Sequence, residues 1–397
     1  MAGRTGKTRV EVKLTRLRAG GVEEIHVWAA TQGGCSVCDC ATALYGAIAR
    51  ELPSPATLCI VAERAFGRLP EKRAVLSARA DALRDAGLDP DVPVTYFQCA
   101  PIAGASPAGV EMTLVRAAKG VSVTPVLDPS TGSGPGDGTR VCGFRVSKGR
   151  ITRAYLSAMN GLGARTPGSP REQARRMFLR AKAALESGGL SYRNVVCTRI
   201  YVKRLLDWYG DFNAVRNRFF REEGIGCKPF SVPTSTGIQG RMSGACECAM
   251  DVFALSRGRT TRSPFERLSN PLQNEATAYG SSFARAARVA LGGGSLVILA
   301  GTASIDESGR SVHVGDAAKQ ARRTMENFEA IARSGGARMR DLYEAVWYCK
   351  DPSHAAGVRR EMRRRGWPRA PFIFVVADVC RDDLLVEIDG AALLSGK

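Results

Sequence analysis

The chain has 397 residues, of which 44% are hydrophobic, and it carries a formal net charge of +19 with an isoelectric point near 9.8. This length is too great for one ordinary domain and suggests two or three. The sequence holds no run of about 18 apolar residues, which argues against a membrane span. Its N-terminus also lacks the apolar core of a signal peptide, so we expect a cytoplasmic protein.

The first 120 residues predict an alternation of strands and helices. Apolar and β-branched runs indicate strands, and apolar residues spaced three and four apart indicate helices. The predicted strands are 23–30, 56–66, 92–100 and 109–117, and the predicted helices are 40–52 and 71–87.

The rest of the chain contains an internal repeat at a constant offset of 147 residues. The matching pairs are Gln173–Arg176 with Gln320–Arg323, Ser187–Gly189 with Ser334–Gly336, and the strand-like runs that end at Lys203 and Lys350. Each copy predicts a helix, a glycine turn, a strand, a second helix and further strands. A duplicated structural unit explains an offset that several motifs share.

We therefore predict three units of an α+β fold, each a mixed sheet with helices on one face. Residues 1–127 form a degenerate N-terminal unit, 140–256 the second unit and 272–397 the C-terminal unit. Two segments rich in Gly, Pro, Ser or Arg, 128–139 and 257–271, are predicted linkers.

The net charge favours an anionic partner. The basic residues are scattered, and the longest run is only Arg363, Arg364 and Arg365. No motif mixes aromatic and basic residues as RNA-binding modules do. A small acidic metabolite is therefore expected rather than nucleic acid, although a general bias towards arginine also explains the composition.

The twelve cysteines predict reduced thiols rather than a disulfide framework. Two clusters, Cys35–Cys40 and Cys246–Cys248, would have to meet to supply the roughly four ligands of a zinc site. Nothing in the sequence indicates that they meet, so no metal is predicted. The three histidines fit no Ser-His-Asp or Cys-His pattern.

The third unit resembles the RidA/YjgF family, also called L-PSP, whose fold is chorismate mutase-like. The resemblance rests on NEATAYGSSFARA, VILAGTASID, the helix through QARRTMENFEAI, GGARMRDLYEAVWYCK and DDLLVEIDGAAL. It implies that three units in one chain could form a pseudo-trimer, either as a monomer or within a homo-oligomer. Deaminases of this family carry an arginine shortly after a proline, but here Ala370–Ile373 has none.

A closer resemblance is to chorismatases, which cleave pyruvate from chorismate. It rests on RIYVKRLLDWYGDFNAVRNRFF, PTSTGIQGR, NEATAYGSSFAR, AGTASIDESGR and ADVCRDDLLVEID, and it spans roughly the last 200 residues. It implies a chorismate-cleaving lyase or hydrolase that needs no metal or organic cofactor, with 3-hydroxybenzoate as the expected aromatic product.

Glu387 is the candidate general acid. Cleaving the enol ether of chorismate begins with a proton delivered to carbon, which requires a carboxylic acid that stays protonated near neutral pH. Glu387 lies in the apolar strand LLVEIDG, where the second unit has Ala249, so the fold does not require an acid there. The alternative is a glutamate on a solvated face of the strand.

Cys380 precedes Glu387 by seven residues, and the polar stretch Arg381–Asp383 suggests a hairpin that returns both to one pocket. The resemblance implies that a cysteine here, and Gly280 after Tyr279, accompany formation of 3-hydroxybenzoate. The alternative for Cys380 is a small buried side chain.

Arg199, Tyr201 and Arg241 are the candidate donors to the two substrate carboxylates, since they lie in the matching motifs of the second unit. Either arginine could instead pair with a structural acid. Gly301, Thr302 and Ala303 are candidate backbone donors beside the substrate. An enzyme that cleaves chorismate is thus the first hypothesis. A RidA-like enamine or imine deaminase, or a non-catalytic binding protein of that family, is the second.

Overall fold

The computed structural model describes residues 8–34, 36–54, 57–130, 140–163, 166–259, 261–367 and 372–395. Within these ranges the chain forms three mixed β-sheets and six α-helices. The sheets are numbered in the order in which they follow one another along the sequence. The α+β prediction with repeated units is confirmed.

The first sheet has the strand order β1-β2-β6-β3-β4. Its elements are β1 (Arg9–Ala19), β2 (Val22–Gln32), α1 (Val37–Glu51), β3 (Leu58–Gly67), α2 (Lys72–Asp85), β4 (Thr95–Gln98) and β6 (Gly109–Arg116), and the two-residue strand β5 (Ala100–Pro101) joins the third sheet. The predicted elements of this region are confirmed, and β1 was not predicted.

The second sheet has the order β11-β10-β12-β9-β8-β7. Its elements are β7 (Ser122–Leu127), β8 (Val141–Lys148), β9 (Ile151–Asn160), α3 (Pro170–Ser187), β10 (Val195–Val202), α4 (Leu205–Glu222), β11 (Thr234–Gln239) and β12 (Cys248–Ser256). Because β7 pairs with β8, the segment 128–139 connects two strands of one sheet rather than two sheets.

The third sheet has the order β13-β14-β15-β18-β16-β17-β5. Its elements are β13 (Glu266–Leu268), β14 (Ala286–Ala290), β15 (Gly294–Ala303), α5 (Ala317–Ser334), β16 (Leu342–Cys349), α6 (His354–Arg364), β17 (Ile373–Val376) and β18 (Val386–Ser395). Strand β13 lies within the segment 257–271 and belongs to this sheet. The boundaries between the three units therefore stay a prediction.

The repeat has a physical basis in a buried glutamine on each of two helices. Helices α3 and α5 both begin three residues before this glutamine, Gln173 or Gln320. Gln173 Oε1 accepts the backbone N–H of Glu247 at 2.9 Å, and Gln320 Oε1 accepts that of Leu385 at 2.7 Å. Each glutamine thus accepts the backbone N–H of the residue that precedes the strand of its sheet that comes last in the sequence. Leaving that N–H buried and unpaired would be costly.

The pairing registers relate the three sheets to one another. Where β3, β10 and β16 pair with β6, β12 and β18, the acids Glu111, Asp251 and Asp389 occupy equivalent positions. Two residues earlier, Gly109, Ala249 and Glu387 are equivalent, since they lie opposite Phe66, Tyr201 and Tyr348. The equivalence of Ala249 and Glu387 inferred from the sequence is thereby confirmed.

The three sheets close on one another within the chain. Gln98 of the first sheet bridges to Arg241 beside the second, Thr234 of the second bridges to Ala284 beside the third, and β5 pairs with β17 of the third. The enclosed side chains form a polar interior around a cavity of about 100 Å³. The oligomeric state of the protein stays a prediction.

Helix α2 is pinned to the first sheet by a buried ion pair. Arg79 and Glu63 are almost fully buried, and Arg79 Nη2 lies 2.8 Å from Glu63 Oε2. Tyr45 of α1 donates to the same carboxylate at 2.9 Å. This pair therefore holds both helices of the first unit against β3.

Replacing Arg79 by methionine should lower the free energy of unfolding by about 3–5 kcal/mol, because it leaves Glu63 buried without its counter-ion. Arg84→Met is the matched control on the same helix: its ion pair with Asp81 is largely exposed, so its loss should cost about 0–1 kcal/mol. Urea denaturation measures both. Equal losses in the two variants would contradict this account of α2.

Candidate active site

Glu387 lies in a narrow cavity between the second and third sheets, here called the acid cleft. The third unit contributes the main part of its wall and the second unit closes it with α4 and β11. The lining residues are Tyr209, Arg216, Ser235, Gly237, Tyr279, Phe283, Arg285, Gly301, Ala303, Ile305, Cys380 and Glu387. The free volume is only about 20 Å³, room for one or two water molecules.

Burial holds the Glu387 side chain as a neutral acid. The residue is the second of β18, directly opposite Tyr348 and Ala303, and is 4% exposed. Burial, and secondarily the negative charge of Asp389, raise the pKa of Glu387 to about 8, although Arg285 acts in the opposite direction. The side chain therefore carries its proton at neutral pH.

The backbone of β15 makes room for this acid. A Cβ atom on Gly301 would lie 2.0 Å from Glu387 Oε1 and 3.3 Å from Thr236 Cγ2. Any larger residue at position 301 would displace the carboxyl group. The candidate role of Gly301 as a backbone donor to substrate is weakened, because its N–H already donates to Thr236 Oγ1 at 3.1 Å.

Two buried arginines supply the positive charge of the acid cleft, and sequence reasoning missed both. Arg285 is 2% exposed; it donates to the Tyr279 hydroxyl at 2.9 Å and to the Asn274 carbonyl at 3.2 Å. Arg216 of α4 is also 2% exposed, and among the described residues its Nε has no hydrogen-bond partner. Both lie inside motifs that carried the chorismatase resemblance, but nothing in those motifs distinguished them from other arginines.

Cys380 lines the same cavity. Burial and the nearby Glu387 raise the pKa of its thiol to about 12, so it stays protonated and is not a nucleophile at neutral pH. The predicted hairpin between Cys380 and Glu387 is wrong. The segment does turn at Arg381–Leu384, but β16 lies between β17 and β18, so these two strands do not pair.

The remaining third-unit candidates divide between the cavity and its surroundings. Tyr279 and Ala303 line it. Thr302 points away, since side chains alternate along β15, and its hydroxyl donates to the Ala300 carbonyl at 3.0 Å. Gly280 ends a one-turn helix with a φ of 86°, and its carbonyl accepts a hydrogen bond from Asn217.

Arg199, Tyr201 and Arg241 are not brought to Glu387; of the described residues that line the acid cleft, none is one of these three. Arg199 pairs with Glu344 and with Asp389, whose Oδ2 lies 3.6 Å from its Nε. Tyr201 donates to Asp251 at 3.1 Å. Arg241 is exposed, and its carbonyl accepts the Gln98 N–H. Arg199 thus fits the alternative expectation, in which an arginine pairs with structural acids.

The thiols form no metal centre within the described part of the chain, where no cluster of three or more Cys, His, Asp or Glu side chains could hold an ion. Cys35 lies outside the described residues. Cys246 donates to the Cys248 carbonyl at 3.2 Å. Among the described helices, none is long and apolar enough to cross a membrane.

Two sequence comparisons show which known proteins this chain resembles. Residues 156–239 match the family model described as endoribonuclease L-PSP. A 3-hydroxybenzoate synthase from Streptomyces hygroscopicus is 30% identical over 208 residues, which cover 47% of this chain and 58% of that protein. The chain therefore contains an L-PSP-like region and is similar to a 3-hydroxybenzoate synthase. Its match thus spans somewhat more than half the length of this curated relative.

One solved structure shares the fold of this chain. The crystal structure of a chorismatase matches 86% of this chain and 96% of its own, with a TM-score of 0.59 and 18% identity. A putative endoribonuclease from Thermotoga maritima matches 33% of this chain and 98% of its own, with a TM-score of 0.28 and 22% identity. At such identities the chorismatase structure supports the fold alone.

The buried acid makes the stability of the protein depend on pH. The pKa of Glu387 is raised from an ordinary value of 4.5 to about 8, so its contribution to stability is fully present below pH 4.5 and is lost as the pH rises through 8. Glu387→Gln keeps the neutral shape and abolishes this titration. The stability of the variant relative to wild type should increase by about 1.4 kcal/mol per pH unit between these limits.

Denaturation of both proteins at a series of pH values measures this difference, and other titrating groups cancel in it. A difference that stays constant from pH 5 to pH 8 would show that Glu387 is ionised throughout.

Proposed function

We propose that this chorismatase-like protein cleaves chorismate to pyruvate and an aromatic acid, most simply 3-hydroxybenzoate, with Glu387 as the general acid. The observation that carries the proposal is a neutral, buried carboxyl group at one of three equivalent positions. Gly109 and Ala249 at the other two positions have no proton to give. The name of the 30% identical relative supports the same reaction.

Glu387 would deliver its proton to the terminal enol carbon of chorismate. That step converts the methylene group to a methyl group and leaves a cationic carbon stabilised by the neighbouring oxygen, which prepares the loss of pyruvate. Pyruvate and 3-hydroxybenzoate together contain all the atoms of chorismate, so no water is consumed. A dihydroxycyclohexadienoate product, in contrast, requires the addition of one water molecule.

The two arginines of the acid cleft would bind the substrate carboxylates. Arg216 and Arg285 replace Arg199 and Arg241 in this role, because only the former pair lies beside Glu387. Arg285 is oriented by Tyr279, and the Arg216 Nε is available for a charge-assisted hydrogen bond. Such donors hold a dianion in one position relative to the acid.

The acid cleft must widen before chorismate can enter, since a six-membered ring with two carboxylates exceeds about 20 Å³. Tyr279, 37% exposed, is the most accessible large side chain of the wall. It is the last residue of the one-turn helix 276–279 and precedes Gly280, whose left-handed conformation suits a glycine. We propose that this segment moves to admit the substrate.

Glu387→Gln should lower the rate of pyruvate release from chorismate by about 10²- to 10⁴-fold, because it removes the proton donor and keeps the shape. Glu307→Gln, a largely exposed glutamate of the same unit, is the control and should retain full activity. Coupling to lactate dehydrogenase measures pyruvate. Near-normal turnover of the Glu387→Gln variant would mean that the acid lies elsewhere. Chorismate left untouched by the wild type would favour the RidA-like alternative.

Cys380→Ala should leave pyruvate release within about tenfold of wild type, because the thiol stays protonated at neutral pH and is not the general acid. The substitution should change the second product, because it removes a side chain that lines the cavity. The smaller residue leaves room for water beside the reacting carbon, so the dihydroxycyclohexadienoate should increase at the expense of 3-hydroxybenzoate. Chromatography of the products measures the ratio. An unchanged ratio would assign Cys380 to packing alone.

A further inference from the structure

A second cavity, here called the aromatic cleft, lies between the first and third sheets. It is related to the acid cleft by the equivalence of the three sheets: β2 takes the place of β15, β17 that of β11, and α6 that of α4. Its volume is about 240 Å³, enough for a small organic ligand without movement of its walls.

The equivalent of the catalytic acid is absent from this cleft and could not be introduced there. Gly109 occupies the register position of Glu387. A Cβ on Gly109 would lie 2.6 Å from Ile373 Cγ1 and 2.6 Å from the Ala29 carbonyl oxygen. Any chemistry that depends on Glu387 is therefore confined to the acid cleft.

The lining combines flat apolar surfaces with two cations. Trp367, Phe372 and Phe374 form the apolar part, and Arg359 and Arg363 of α6 lie at its edge. The Arg359 guanidinium lies 4.5 Å from the centroid of the Phe374 ring. Trp367 is fixed by the hydrogen bond that its indole N–H donates to Glu329 at 2.6 Å.

The charge balance of the cleft is positive. Neither Arg359 nor Arg363 has a carboxylate within ion-pair distance among the described residues. One acid, Glu11, also lines the cavity, but Arg9 lies 3.2 Å from its carboxylate and offsets its charge. Two unpaired cations beside aromatic rings favour a ligand that has both a ring face and a negative charge.

We propose that the aromatic cleft is a binding site for a small aromatic carboxylate. The ring of the ligand packs against Trp367 and Phe374, and its carboxylate is held by Arg359 and Arg363. This binding does not depend on whether the acid cleft cleaves chorismate.

Benzoate is the probe, and two measurements follow it. Trp367 should report its binding by a change in fluorescence that is absent from Trp367→Phe. Isothermal titration should show benzoate affinity weakened by about 10- to 100-fold in Arg359→Ala and in Arg363→Ala, the range expected for loss of one charge-assisted contact. Arg360→Ala, an equally exposed arginine of the same helix outside the cavity, is the control and should bind as wild type does.

Arg285→Ala distinguishes binding in the aromatic cleft from binding in the acid cleft. It removes a cation from the acid cleft, so the change in Trp367 fluorescence should stay as in the wild type. The proposal is wrong if benzoate causes no Trp367-dependent change, or if Arg359→Ala and Arg363→Ala bind it as tightly as Arg360→Ala. Both results would stand apart from the chorismate assay. Because Arg359, Arg360 and Arg363 are exposed, the variants at these three positions should fold.

Discussion

The interior between the three sheets imposes one constraint on the acids Glu111, Asp389 and Glu387: each must be paired with a cation or stay neutral. Ionised groups are expensive to bury without a counter-ion. Arg64 pairs with Glu111, and Arg199 pairs with Glu344 and Asp389, so these charges meet the constraint through one another. Glu387 has no cation within ion-pair distance among the described residues and meets it by keeping its proton. The same physical rule thus makes Asp389 a member of a structural ion pair and leaves Glu387, two residues earlier, a neutral acid.

The repeat and the predicted elements could be obtained from the sequence because they depend on local patterns. The repeated glutamine, Gln173 or Gln320, accepts a backbone N–H of its own unit. A local requirement of this kind can be recognised as a repeated residue in the sequence. The comparison of Ala249 with Glu387 succeeded for the same reason. Strand β1, in contrast, is an amphipathic edge strand in a region rich in basic residues, and its apolar alternation was not recognised.

The residues that line the acid cleft could not be predicted in the same way, because the lining depends on how different sheets face one another. Arg199, Arg216, Arg241 and Arg285 all lie in the motifs that resemble chorismatases, and sequence cannot tell which of them meets an acid from another sheet. Glu344, which pairs with Arg199, is 145 residues away in the chain. The turn after Cys380 was recognisable, but the presence of β16 between β17 and β18 is a property of the whole sheet.

The closure of three sheets within one polypeptide has a consequence for how such a protein can change over time. In a symmetric ring of identical subunits, a substitution alters every interface at once. Here the bridges from Gln98 to Arg241 and from Thr234 to Ala284, with the β5–β17 pair, join sheets that are encoded separately. Each interface can therefore acquire or lose side chains on its own. Phe97 stacks on Tyr201 at 3.8 Å between the first and second sheets. The aromatic cleft and the acid cleft lie at the other two interfaces. Selection can thus specialise one cavity while its neighbours drift.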